Sequence, residues 1–178
     1  MTLRRLMLFA AAVLIGAVGM VLWERYGPQS EAPALETGSV LVDHIRIDKS
    51  DRRLTAFTNG QAVLSFDIAL GFGPVGTKEL EGDGKTPEGL FKIDRRNSGS
   101  AYHLSLGIDY PQAGDIKRAQ DAGTNPGGDI FIHGQPNGIG RFLTLSGDWT
   151  AGCIAVSNKE IEALWRITPL GTLVEIRP

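Results

Sequence analysis

The chain has 178 residues, 42% of them hydrophobic and 21% charged, with a formal net charge of −2 at pH 7. That length holds one core of ordinary size, and the scattered Lys and Arg make no basic surface suited to nucleic acid. The single cysteine, Cys153, excludes an intramolecular disulfide. No His/Cys/Asp/Glu set has metal-ligand spacing, so neither a metal nor a cofactor is expected.

At the N-terminus, Arg4 and Arg5 precede seventeen uncharged residues, Leu6 to Leu22, which end at Trp23-Glu-Arg-Tyr26. A run of that length just spans a bilayer, and basic residues ahead of it keep the N-terminus in the cytoplasm. Residues 1–26 therefore read as a signal anchor in the inner (cytoplasmic) membrane, with everything after it in the periplasm. A cleaved signal that releases a periplasmic domain is the alternative, although Ala32-Pro33-Ala34 lies late for a cleavage site. Gly27 to Ser39 carries prolines and acidic residues without apolar periodicity and reads as a linker. The domain proper is expected over residues 40–178.

That domain reads as mainly β with two helices. Val40 to Asp48 alternates as a strand, and Leu54–Thr58 with Gln61–Leu70 flanks Asn59-Gly60, a strong hairpin signal. Leu90–Ile93, Tyr102–Leu106, Ile130–Ile132 and Thr172–Ile176 are further short strands. One helix is expected from near Pro111 to just before Gly123, with Pro111 in its first turn. The other starts at Ser157, where Glu160 completes a capping box and Ile161, Leu164 and Trp165 share a core-facing stripe.

Several motifs mislead. Gly71-Phe-Gly-Pro-Val-Gly76 spells GxGxxG, but it follows a hairpin arm and contains Pro74, so it opens no dinucleotide-binding helix. Gly84-Lys85-Thr86 echoes a phosphate loop, yet Glu79 stands where the first glycine belongs and Pro87 follows. His44 reads as a surface residue and His103, at the start of a strand, as structural.

The stretch from Gly128 to Asn158 carries the chemistry. An unassisted thiol titrates near ~8.5, so Cys153 needs a base, and His133 at the end of an apolar run is the natural partner. An inert, buried cysteine is the competing reading. The glycines Gly134, Gly138, Gly140, Gly147 and Gly152 let the backbone approach a ligand and aim N–H groups at a developing oxyanion.

Here His133-Gly134 is followed, after the sixteen residues from Gly134 to Trp149, by Thr150-Ala151-Gly152-Cys153. Together with Gly82-Asp-Gly-Lys-Thr-Pro-Glu-Gly89 upstream and Asp148-Trp149 and Ile154–Asn158 around the cysteine, this resembles the L,D-transpeptidase catalytic domain, also called the YkuD domain. The likeness covers roughly residues 40–178. Ala151 and Ala155 depart from the commonest form, as in a divergent, membrane-anchored subgroup.

The resemblance implies a mixed-sheet sandwich or barrel. It implies Cys153 as nucleophile and His133 as base, with Gly152, Thr150 and Gly134 as oxyanion or supporting residues. Trp149 and Arg141 are candidate substrate contacts, as are Lys78 and Lys85, although scattered surface charge is the simpler reading of the basic residues. The substrate implied is a peptidoglycan stem peptide, attacked to give a thioester that passes to an amine of a second stem or of a cell-wall-attached lipoprotein. The same pair with water as acceptor would make an L,D-specific peptidoglycan hydrolase. An inactive wall-binding module is the alternative of another class.

Overall fold

The structure is a computed structural model that describes residues 12–19, 32–36 and 40–178. The chain divides into two units, residues 1–31 and Ala32–Pro178. In the first, residues 12–19 are helical and exposed. Most of the expected membrane span, Leu6–Leu22, lies outside the described residues. Among the described residues no helix is long and apolar enough to cross a membrane.

The second unit is built on eight strands: β1 (His44–Asp48), β2 (Arg53–Thr58), β3 (Gln61–Asp67), β4 (Gly89–Asn97), β5 (Ser105–Ile108), β6 (Phe131–His133), β7 (Ile154–Ala155) and β8 (Leu173–Arg177). Two α-helices join them, α1 (Ala113–Asp121) and α2 (Asn158–Ile167), with a 3₁₀ turn at Ile139–Arg141. The expected mainly-β domain with two helices is what forms.

The strands lie in the order β3-β2-β1-β8-β4-β5-β6-β7. The sheet is mixed: β1–β8 and β6–β7 are parallel and the other pairs antiparallel. Alternation sets its inner face. Ile45 and Ile47, Leu54 and Ala56, Phe91 and Ile93, and Val174 and Ile176 are all buried while their neighbours face outward. β4 serves two neighbours, pairing with β8 through Gly89–Lys92 and with β5 through Ile93–Asn97. The register shifts between Ile93 and Arg95, a bulge that bends the strand and curls the sheet.

The curl brings the two ends together. Ala69, just past β3, exchanges both backbone hydrogen bonds with Ala155 of β7, at 2.9 and 2.8 Å. Beyond it the Thr150 N–H donates to Leu70 O at 3.1 Å and the Phe72 N–H to Thr150 O at 2.9 Å. The sheet thus closes across a seam, and the cysteine-bearing segment lies on it.

The hairpin turn forms at Asn59-Gly60 with both residues at positive φ, 50° and 79°, as a type I′ turn requires. The capping box on α2 is present: the Glu160 N–H donates to Ser157 Oγ at 3.3 Å and the Ser157 N–H to Glu160 Oε2 at 2.7 Å. Ile161, Leu164 and Trp165 are buried as expected. α1 begins at Ala113, two residues after Pro111, so the proline precedes the first turn rather than occupying it. β5 begins at Ser105, not Tyr102: His103 sits at φ 66° in a turn, a conformation that interrupts a strand. Residues 32–36 lie against α2, with the Trp165 Nε1–H donating to Pro33 O at 2.7 Å and the Glu36 N–H to Arg166 O at 2.8 Å.

Two buried lysines fix the irregular segment between β3 and β4. Lys49 Nζ donates to Gly76 O, Thr86 O and Glu88 Oε1 at 2.6, 3.2 and 2.7 Å. Lys78 Nζ donates to Leu80 O at 3.0 Å and Asp83 Oδ1 at 2.9 Å. Lys78 is thus a buried structural cation rather than scattered surface charge. Asp83 also accepts from the N–H groups of Glu79, Leu80 and Lys85. Burial alone would raise its pKa, but these donors and the Lys78 ammonium together hold it at about 2.

A carboxylate depressed in the folded state stabilises above its unfolded value of 3.8, and the contribution is lost as pH falls toward 2. It is worth roughly 2 kcal/mol at neutral pH. Asp83→Asn is therefore expected to cost about that much by urea denaturation at pH 6, with the gap from wild type closing at pH 2. A gap independent of pH would contradict the assignment.

Candidate active site

β6 and β7 are short, parallel and adjacent, with Ile132 opposite Ile154 and His133 opposite Ala155. Their apolar residues Ile132, Ile154 and Val156 are fully buried and fix which face each strand turns to the core. His133 and Cys153 fall on the other face. Cys153 lies two residues before Ala155, so thiol and imidazole are diagonal neighbours.

His133 is 3% exposed. Its Nδ1 lies 2.7 Å from Gly134 O. A carbonyl only accepts, so Nδ1 carries the hydrogen and Nε2 is left as the basic nitrogen. Gly134 therefore orients the base through its carbonyl, while its N–H is already given to Leu104 O at 3.2 Å and cannot serve an oxyanion. Tyr102 lies over the imidazole at 4.5 Å between ring centroids, and Trp149 meets it edge-on at 5.8 Å. The buried Trp149 indole N–H has no partner among the described residues. Burial in this aromatic box pushes the His133 pKa down, against the smaller upward pull of the Gly134 carbonyl.

Cys153 is half-buried. Its Sγ lies 3.5 Å from Asp129 O. Burial raises the thiol pKa most; the Phe131 N–H turned toward the sulfur lowers it, Asp129 raises it further, and Lys78 lowers it. Both shifts favour a neutral thiol beside a neutral imidazole.

The turn before the cysteine is fixed by Thr150. Its hydroxyl donates to Cys153 O at 2.7 Å and accepts the Gly152 N–H at 3.1 Å. The Thr150 hydroxyl and the Gly152 N–H are thus both spent on shaping the turn. Neither of these two contacts uses the Cys153 N–H. Gly152 has φ 131°, and a Cβ there would stand 2.6 Å from the Lys85 carbonyl oxygen. This places the GDGKTPEG segment directly behind the nucleophile. Asp148 anchors the other side, accepting from Arg52 Nη2 at 2.7 Å and from the Leu70 N–H at 2.9 Å.

The structure thus gathers Cys153, His133, Gly134, Thr150, Gly152 and Trp149. It leaves Arg141 exposed on the 3₁₀ turn, beyond that cluster. His103 bonds Glu162 through Nε2 at 2.7 Å, and His44 stacks on Phe57 beside Glu175, so neither belongs to the site. Residues 71–76 form an irregular loop that opens no helix, as expected. Sequence reasoning missed Tyr102, assigned to a strand, and Gln135. Buried Gln135 donates through Nε2 to Val156 O at 2.7 Å and accepts the Leu145 N–H at 2.8 Å, which ties the 136–145 loop to β7. A polar residue two positions after His133 on an apolar strand was the available signal.

Comparison with known proteins places this chain in a family. Residues 42–176 match the YkuD family model, the L,D-transpeptidase catalytic domain. YafK of Escherichia coli (strain K12) is 29% identical over 142 residues, 76% of this chain and 50% of YafK. The chain thus spans about half the length of the curated relatives it matches. Among solved structures, the helical cell shape determining protein Pgp2 of Campylobacter jejuni, as its K307A mutant, superposes with a TM-score of 0.59 at 25% identity. That match covers 89% of this chain and 54% of Pgp2. Bd1075 of Bdellovibrio bacteriovorus gives 0.56 at 27% identity, over 84% and 52%. The L,D-transpeptidase of Xylanimonas cellulosilytica shares the fold, with a TM-score of 0.51 at 20% identity over 79% of this chain and 63% of that one. With the family model covering most of its length, this chain belongs to the YkuD L,D-transpeptidase catalytic-domain family.

Proposed function

We propose that the protein is a cysteine-dependent L,D-transpeptidase acting on peptidoglycan stem peptides. The observation that carries this reading is the pairing of a partly accessible thiol with a carbonyl-oriented imidazole on one face of adjacent strands. Nε2 of His133 takes the thiol proton as sulfur attacks the carbonyl of the L,D-peptide bond. The Cys153 N–H meets the oxyanion, and the terminal D-amino acid leaves with the proton from His133. The resulting thioester then passes to an amine, of a second stem or of a wall-attached lipoprotein. On this reading the N-terminal apolar segment holds the domain on the periplasmic side of the inner membrane, where that polymer lies.

The test incubates the protein with tetrapeptide stems, with and without an amine acceptor. Mass spectrometry should show a thioester adduct on Cys153, D-alanine release and an amide-linked product. Release with only free acid as product makes the enzyme a hydrolase, and no adduct and no release leaves an inactive wall-binding module.

The directions of these shifts bear on when the proton moves. With the imidazole pKa lowered and the thiol raised, deprotonation accompanies attack instead of preceding it. Alkylation of the free enzyme by iodoacetamide should therefore be slow at pH 7 and climb through the alkaline range. A rate already at plateau near pH 6 would instead report a pre-formed thiolate–imidazolium pair.

A further inference from the structure

The loop that follows β6 turns its largest apolar side chains to solvent. Ile139 is 54% exposed, Phe142 85% and Leu143 54%. Residues three apart eclipse one another on a 3₁₀ turn, and residues four apart are neighbours on a helical one, so these three share a face. The Phe142 and Leu143 N–H groups both donate to Ile139 O at 3.0 Å, which closes that turn. The base of the loop is pinned. Buried Gln135 accepts the Leu145 N–H, Asn137 Nδ2 donates to Ser100 O at 3.0 Å, and Asn158 Nδ2 donates to Gly140 O at 3.1 Å. A Cβ on Gly140 would stand 2.4 Å from the Gln135 Cβ, so Gly140 faces the domain while Ile139 and Phe142 turn away from it.

Two cations flank this tip. Arg141 lies within the turn, and Lys159 follows Asn158 on α2. Both are exposed, and neither makes an ion pair or a side-chain hydrogen bond among the described residues. The carboxylate beside them in sequence, Glu160, accepts the Ser157 N–H in the capping box. An apolar knob flanked by unpaired cations complements a surface that is apolar within and anionic at its boundary with water.

Chain length brings such a surface close. Ala32 is ten residues past Leu22, where the uncharged N-terminal run ends, a reach of at most about 35 Å. That is about the width of a domain of this size. Pro33 and Glu36 are bonded to Trp165 and Arg166 near one end of α2, and Gly140 to Asn158 at the other. Asn158 and Trp165 lie about 10 Å apart along the helix axis. The tip thus stands one short helix from where the tether joins the domain.

We propose that Ile139, Phe142 and Leu143 form a membrane-docking tip that enters the interface of an anionic bilayer, with Arg141 and Lys159 among its headgroups. This rests on the reading of the N-terminal segment as an anchor and adds that the catalytic domain itself lies on the bilayer.

The test uses the full chain bearing Cys153→Ala and Thr144→Cys, labelled at the new thiol with bimane. It is reconstituted in vesicles of phosphatidylcholine, alone or mixed with phosphatidylglycerol. With phosphatidylglycerol the emission should shift to the blue and be quenched by nitroxide-bearing lipid. Phe142→Ser with Leu143→Ser should remove the quenching without moving the melting temperature, since both side chains are exposed. Arg141→Gln and Lys159→Gln should each lower the ratio of docked to free tip about fivefold. Quenching that is absent, that survives the serine changes or that ignores phosphatidylglycerol overturns the proposal. A blue shift that grows with protein density and ignores nitroxide assigns the tip to a second copy of the chain and overturns it equally. An alkaline carbonate wash tests the anchor separately. Protein that washes off counts against an inserted N-terminal segment alone, because lipid-dependent quenching before the wash still upholds the docking tip.

Discussion

Cys153→Ala is expected to abolish both the covalent adduct and D-alanine release, lowering turnover by roughly 10⁴-fold or more, as loss of a nucleophile does. The fold should survive, because the side chain is small, only half-buried and makes one weak contact through sulfur. His133→Gln should cost about 10²–10⁴-fold, the usual worth of a positioned base. It separates the roles, since the thiol remains and high-pH alkylation of Cys153 should persist. Equal turnover in wild type and Cys153→Ala would remove the basis of the proposed chemistry. Full activity in His133→Gln would assign the base elsewhere.

The second large effect is expected at Gly152. Alanine there meets two costs: a φ of 131° unsuited to a side chain and a Cβ 2.6 Å from the Lys85 carbonyl oxygen, which is backbone and cannot swing aside. Together these amount to about 3 kcal/mol or more, and relief by shifting the turn would carry the thiol out of register with His133. Gly152→Ala should therefore lower both the melting temperature and the rate of adduct formation. Gly147→Ala is the control. It also has positive φ, 77°, but nothing lies within 4 Å of its Cβ, so only the conformational cost of about 1 kcal/mol remains. Equal melting temperatures for the two variants would show that the Lys85 contact is not constraining.

Local signals were legible wherever the physics is local. The Asn59-Gly60 turn, the Ser157/Glu160 box and the Ile161/Leu164/Trp165 stripe each depend on residues a few positions apart, and each formed as read. Cys153 and His133 stand out in the sequence because glycines and a fixed spacing mark them. What could not be read depends on distant partners. β7 is only two residues long and exists because Ala69 and β6 flank it, so no periodicity announces it. Tyr102 looked like strand, but the turn at His103 breaks the pattern one residue on and frees the tyrosine ring to cover the imidazole. Thr150 reads as an oxyanion or supporting residue from its place in the motif. Only coordinates reveal that its hydrogen is already given to Cys153 O. Lys78 looked like surface charge because nothing in its neighbourhood announces that Asp83 folds back onto it.

The joining of Ala69 to Ala155 has a bearing on when Cys153 and His133 come together. These partners are 86 positions apart, and the seam continues through Leu70, Phe72 and Thr150. A nascent or nicked chain that has not brought its distant halves together thus holds its sulfur on an unfixed ribbon, away from any ring nitrogen. The register between Cys153 and His133 is therefore set only when the fold is complete.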